Sequence, residues 1–100
     1  MTSRINALIG NEAFRMLEAG VASAEDIDKA VKLGLNHPMG PFEMVDLVGL
    51  DVRLSILDYL HTTLGETYRP TELMRRYVKE GRLGRKTGRG VFEYAQQAKP

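Results

Sequence analysis

Apolar residues recur at helical spacing along most of the chain, and glycines punctuate them. Ile5, Leu8, Ile9, Ala13, Met16 and Leu17 form one stripe, with Glu12, Arg15 and Glu18 on the other side, which predicts a first helix. Gly20 stands where a left-handed cap residue is wanted. Ser23 opens a second helix: its hydroxyl can accept from the amide near Asp26, and Glu25 and Asp26 suit the positive end of the helix dipole. Ile27, Ala30 and Val31 are its expected buried stripe, and Gly34 its end.

The segment Asn36-His37-Pro38-Met39-Gly40-Pro41 cannot be helical throughout, because each proline lacks a donor and disfavours the helical conformation in the residue before it. Pro41 suits the first position of a short third helix, Phe42 to Val48, stopped by Gly49. Asp51 is the expected cap of a fourth, carrying Leu54, Ile56, Leu57, Leu60 and Leu64 and closed by Gly65. Thr71 caps a fifth, with Leu73, Met74, Tyr77 and Val78 as its apolar positions and Gly81 as its end. Gly84, Gly88 and Gly90 then crowd together, Val91-Phe92-Glu93-Tyr94 alternates like a short extended piece, and the last six residues have little to hold them. The pattern predicts an all-α fold: a single helical domain of about five helices, spanning residues 1–100, with a glycine-rich C-terminal tail.

Length and composition agree with one globular domain. The chain has 100 residues, 43% hydrophobic and 27% charged, enough for one modest core and too short for separate cofactor and substrate lobes. It has no cysteine, which removes disulfide scaffolds, thiolate metal sites and cysteine nucleophiles. No apolar run approaches the roughly 18 residues of a membrane span, and the opening residues lack the apolar stretch of a signal peptide, so a soluble, cytoplasmic protein is the expectation.

The net charge of +1 conceals an asymmetry. Residues 69–89 carry Arg69, Arg75, Arg76, Lys79, Arg82, Arg85, Lys86 and Arg89 against Glu72 and Glu80, whereas residues 1–68 are acidic overall. Such a block suits either a nucleic-acid or phosphate surface, or a basic face turned to an acidic one within the chain or across a subunit contact. With Tyr77 its lone aromatic it offers no stacking platform for bases, which favours the second.

Few residues suggest chemistry. Arg85-Lys86-Thr87-Gly88-Arg89-Gly90 is not a phosphate loop, since Arg85 replaces the glycine needed before Lys-Thr and a helix lies upstream. Gly88-Arg89-Gly90 fails as a dinucleotide fingerprint, with Glu93 where the third glycine belongs, and reads as a basic turn whose glycines take positive backbone angles. His37 belongs to the right class for a general base, but no nucleophile or orienting carboxylate is fixed beside it. Asp58 and His61 read as an exposed pair, and no metal site is expected. Glu43 and Asp46 share a face of the third helix, as paired carboxylates or as partners of the helix dipole. No complete active site can be assembled from spacing alone, which points to a binding, assembly or substrate-covering piece.

Several segments carry a resemblance: Ser3-Arg4-Ile5, Asn11-Glu12-Ala13, the run from Glu18 to Ser23, Asp26-Ile27-Asp28, the runs from His37 to Glu43 and from Asp46 to Asp51, and Gly84-Arg85-Lys86-Thr87-Gly88-Arg89-Gly90. In this order, over about residues 3–94, they resemble the C-terminal domain of the NAD-dependent 3-hydroxyacyl-CoA dehydrogenases, including the bacterial 3-hydroxybutyryl-CoA type. The resemblance implies a two-domain enzyme that oxidises the 3-hydroxyl of an acyl-CoA. NAD and a catalytic His–Glu pair sit on an N-terminal domain absent here, so no cofactor-binding residue is expected in this chain. The helical domain closes over acyl-CoA, forms a homodimer, binds neither nucleic acid nor membrane, and is inactive alone. Ser3 falls where most members place an active-site asparagine; serine can still donate to a carbonyl oxygen, through a shorter side chain with one proton. Pro38, Met39, Gly40 and Pro41 are the other candidate substrate contacts, their backbone stiff and Met39 an adaptable apolar surface for an acyl chain; the alternative is a joint between helices that packs against the N-terminal domain. The rival expectation is a basic helical module for nucleic acid, or an adaptor.

Overall fold

The computed structural model describes residues 2–94, the first two of them by backbone alone. It is all-helical: α1 (Thr2–Glu18), α2 (Ala24–Gly34), α3 (Pro41–Val48), α4 (Leu50–Leu64) and α5 (Glu72–Lys79), with 3-10 turns at Glu66–Tyr68 and Arg85–Thr87. The extended piece expected at 91–94 is reduced to an isolated pairing of Arg89 with Glu93.

Local chemistry sets most boundaries. The Ser23 hydroxyl accepts from the Asp26 amide at 3.1 Å and the Thr71 hydroxyl from the Met74 amide at 3.1 Å, so both predicted caps form. The Glu18 carboxylate on α1 takes the neighbouring Leu73 amide at 3.0 Å, capping α5 a second time from across the fold. Gly20 and Gly81 adopt φ of +77° and +80°, as the ends of α1 and α5 require. Asp51 is not the cap of α4. Gly49, at φ +112°, serves both the end of α3 and the start of α4, while Asp51 lies in the first turn and pairs with Lys86 at 2.8 Å. That pairing holds the Asp51 carboxyl below its ordinary value.

The core gathers around Phe14, which meets Phe42 edge-on at 5.2 Å between ring centroids and Tyr77 at 6.1 Å. Val45, Leu50, Leu57, Leu60, Leu73 and Met74 pack in the same core, with Ala7, Ala13, Ile27 and Tyr68. Two expected stripes hold in part: Leu8, Ala13, Met16 and Leu17 of α1 and Ile27 of α2 pack inward, but the most buried positions are offset. On α1 the buried positions are Ala7, Gly10, Asn11, Ala13 and Phe14, while Ile5 is exposed and Ile9 half-buried. On α2 Ile27 is buried as expected, but Ala30 is exposed, Val31 half-buried, and Asp28 lies in the interior. In both cases a small or polar residue turns inward because an exact contact is made there: Asn11 Nδ2 donates to the Arg69 carbonyl at 2.8 Å, and Asp28 accepts two amides of α3. On α4, Leu57 and Leu60 are buried, but Leu64 is exposed.

The basic block faces acidic partners. Arg69 pairs with Glu66, Arg75 with Asp58, Arg82 with Glu80, Lys86 with Asp51 and Arg89 with Glu93, so five of its eight cations meet a carboxylate within the chain. Arg82 also lies over the Tyr77 ring at 3.7 Å. Asp58 and His61 are not a pair: Asp58 turns to Arg75, and His61 meets Glu66 at 3.0 Å. Most of these groups are well exposed, so solvent screens them. Arg75→Ala is expected to lower stability by under about 1 kcal/mol, read from urea unfolding; a larger loss would give this surface pair more weight than its exposure permits.

Candidate functional site

Two hollows indent the described surface. One, about 250 Å³, lies between α1 and the proline-glycine segment 37–41, with Asn6 and Ile9 from α1 and Met44 and Val45 from α3 as its other walls. The other, about 570 Å³, opens between α2 and the tail, with Leu33, Phe92 and Tyr94 as apolar wall and Lys29, Lys32 and Arg85 among its charges. Two of its acidic side chains are already committed: Asp28 to amides of α3, Glu43 to the Gly40 amide and to Lys32. The smaller hollow is the candidate site, because all four expected contacts, Pro38, Met39, Gly40 and Pro41, line it together with His37.

The segment 37–41 is held from below by α2. Asp28 accepts from the Phe42 amide at 2.8 Å and the Glu43 amide at 3.0 Å, which caps α3 from a neighbouring helix. The N-cap residue, Gly40, has no side chain to do this, and needs to have none: a Cβ there would stand 2.4 Å from the Asp28 carboxyl carbon. Glu43 reaches back to the Gly40 amide at 3.1 Å. Burial pushes the Asp28 carboxyl above its ordinary value, the two amides opposing this and the charges of Glu43 and Asp46 adding to it.

Glu43 and Asp46 are therefore not a catalytic pair. Asp46 is buried and clasps the tail: it accepts from the Val91 amide at 2.9 Å, the Phe92 amide at 3.0 Å and the Tyr94 hydroxyl. Burial and the adjoining Asp46 charge push the Tyr94 hydroxyl well above its usual range. The glycine-rich run exists for this clasp. A Cβ on Gly84 would stand 2.2 Å from the Asp46 carbonyl oxygen, and one on Gly90 2.2 Å from its carboxylate. Gly84 and Gly88 take positive φ as expected, whereas Gly90 serves by its lack of a side chain. A dinucleotide does not fit this run: Asp46 already occupies the space at Gly84 and Gly90, and the run leads into no strand–turn–helix unit among the described residues.

Ser3 lies in the first turn of α1, and its side chain is outside the described residues. His37 lines the hollow, where the sequence placed it without partners. Asn6 was not legible as a site residue; it is half-buried at the edge of the inward face of α1, on the side of Gly10 and Ala13, and this becomes visible only once the buried positions are known. Among the described residues no three His, Asp or Glu side chains converge as a metal site, and no helix is long and apolar enough to cross a membrane.

The chain is thus a five-helix unit with a mostly apolar hollow beside the proline-glycine loop, and its buried carboxylates, Asp28 and Asp46, hold backbone amides. Residues 1–94 match the family model of the 3-hydroxyacyl-CoA dehydrogenase C-terminal domain, and the chain belongs to that family. It is 48% identical over 101 residues to a 3-hydroxybutyryl-CoA dehydrogenase of Bradyrhizobium diazoefficiens, covering 100% of this chain and 34% of that protein. It is 46% identical over 85 residues to the mitochondrial hydroxyacyl-coenzyme A dehydrogenase of Homo sapiens, covering 83% of this chain and 27% of that one. Among solved structures, the (S)-3-hydroxybutyryl-CoA dehydrogenase of Ralstonia eutropha superposes with a TM-score of 0.90 at 49% identity, over 93% of this chain and 33% of that chain. The chain thus spans about a third of the length of these relatives.

Proposed function

We propose that this chain is the substrate-covering and dimer-forming part of an NAD-dependent enzyme that oxidises (S)-3-hydroxyacyl-CoA to 3-oxoacyl-CoA. The observation that carries this reading is the hollow between α1 and segment 37–41, inside a chain that the family model matches over residues 1–94. Pro38, Met39, Gly40 and Pro41 contact the acyl portion, and Ser3 contributes a hydroxyl donor to the substrate. NAD, with the groups that exchange hydride and proton, belongs to a dinucleotide-binding domain separate from these 100 residues. The domain's own work is to hold the substrate's reacting carbon in register with that cofactor and to keep water out. A cytoplasmic location accompanies the reading.

Homodimer formation is part of the same proposal. Val48, Val52 and Tyr59 are exposed apolar residues along α3 and α4, Tyr59 at 68% exposure, with Leu47 beside them. An apolar strip of this kind is what an isologous contact buries.

The test uses the 100-residue chain with 3-hydroxybutyryl-CoA and NAD. The expected result is binding of the acyl-CoA, no growth of NADH absorbance, and sedimentation as a dimer at micromolar concentration. Turnover by the chain alone would overturn the division of labour, and a monomer at high concentration would overturn the dimer.

A further inference from the structure

We infer that Asn6 is the hydrogen-bonding reader of the ligand in the α1 hollow, its side-chain amide addressing the hydroxyl and the carbonyl of a 3-hydroxyacyl thioester together. The inference rests on the acyl-CoA reading of that hollow and adds to it a residue and a selectivity.

The walls are mostly apolar: Ile9, Pro38, Met39, Pro41, Met44 and Val45. An oxygen brought in from water must find a partner there or cost the complex its desolvation. Of the loop's backbone donors, Pro38 and Pro41 have no N–H and the Gly40 N–H is already donated to Glu43 Oε1 at 3.1 Å, which leaves those of His37 and Met39. Two polar side chains remain, Asn6 and His37.

Asn6 suits the ligand better on two grounds. Its side chain has no hydrogen-bond partner among the described residues, whereas Asn11, one turn and a half further along the same helix, is committed to the Arg69 carbonyl. Its amide also carries two N–H donors in one plane. A 3-hydroxyacyl thioester presents two acceptors to them, the carbonyl oxygen and the hydroxyl oxygen, whose own proton is left to the proton-exchanging group of the separate domain. A neutral imidazole offers one donor and one acceptor on separate edges of the ring, and His37 stands in a loop, while Asn6 is fixed on a helix of 17 residues.

The experiment compares 3-hydroxybutyryl-CoA with butyryl-CoA, which lacks the hydroxyl, by titration calorimetry on the 100-residue chain. The wild type is expected to prefer the hydroxylated ligand by about tenfold, the worth of one neutral hydrogen bond. Asn6→Leu, which keeps apolar volume on a helix, is expected to bind both more weakly and to lose the preference. Asn6→Asp, which keeps the shape and removes the donor, is expected to weaken both ligands through the carbonyl contact. The side-chain amide resonances of Asn6 are expected to shift on adding the hydroxylated ligand to the wild type. Retention of the tenfold preference in Asn6→Leu overturns the inference, as does its loss in His37→Ala with Asn6 intact. Failure of the wild type to bind any acyl-CoA overturns the underlying reading of the hollow, and is distinguishable because no preference then exists to be lost.

Discussion

Asp46→Ala is expected to destabilise the fold by about 3–5 kcal/mol, near the top of the range for single substitutions. The carboxylate accepts two backbone amides and one phenol, from Val91, Phe92 and Tyr94, and it lies 1% exposed. Hydrogen bonds to a charged group contribute about 1.5–3 kcal/mol each, and donors left unpartnered add their own desolvation. Some of this loss is recovered as water reaches the freed amides, which keeps the total below the simple sum. For a domain of this size the melting temperature is expected to fall by about 15 °C or more. Tyr94→Phe removes one of the three bonds and is expected to cost about 1–2 kcal/mol. Thermal unfolding followed by circular dichroism reads both. A loss under 1 kcal/mol for Asp46→Ala would mean that the tail does not depend on this clasp.

That clasp marks the boundary of what the sequence made legible. Ser23 and Thr71 could be placed because a cap acts on an amide three residues away, and Gly20 and Gly81 because a helix end needs a left-handed residue locally. Asp46 could not, since its donors lie 45 to 48 residues further along the chain. The same holds for Asp51, whose identity suggests a cap but whose partner, Lys86, is set by how the tail folds back. The glycine run was visible as a basic turn, yet the reason for Gly84 and Gly90 appears only when Asp46 is found against them. In the candidate site, segment 37–41 could be picked out by its stiffness and its resemblance. Asn6 could not, because periodicity drew the stripe through Ile5 and Ile9; Leu8, Ala13, Met16 and Leu17 do pack inward, but the most buried positions lie to one side of that stripe. The true inward face holds the small Ala7 and Gly10 and the polar Asn11, which a hydrophobic count passes over.

Asp28→Ala is expected to cost about 2–4 kcal/mol and to loosen the loop that walls the hollow. Two amides at the start of α3, those of Phe42 and Glu43, lose their acceptor in a setting where Asp28 is 5% exposed. Hydrogen exchange at these two amides is expected to accelerate more than at the centre of α4, and acyl-CoA affinity to fall further than global stability accounts for. Asp28→Asn keeps one acceptor oxygen but turns an NH2 toward the second amide, so about half the loss is expected. The dependence on pH has a definite sign. Burial, helped by Glu43 and Asp46 and opposed by the two amides, raises the folded carboxyl above its ordinary value of 3.8, and Lys32 is the cation that meets Glu43 beside it. Between 3.8 and that raised value the native state binds the proton more tightly than the unfolded chain, so the Asp28 contribution is full below this window and declines as pH rises through it. Asp51, held low by Lys86, behaves in the opposite way: its contribution is present above 3.8 and is lost as pH falls toward its lowered value. Asn at position 28 cannot titrate, so the stability gap between wild type and Asp28→Asn is expected to narrow as pH climbs from 4 through this window. Urea unfolding of the two proteins at a series of pH values measures that gap. A gap that widens over the same range would mean that the amides of α3 favour the carboxylate more strongly than burial disfavours it, and that the Asp28 carboxyl lies below its ordinary value and not above it.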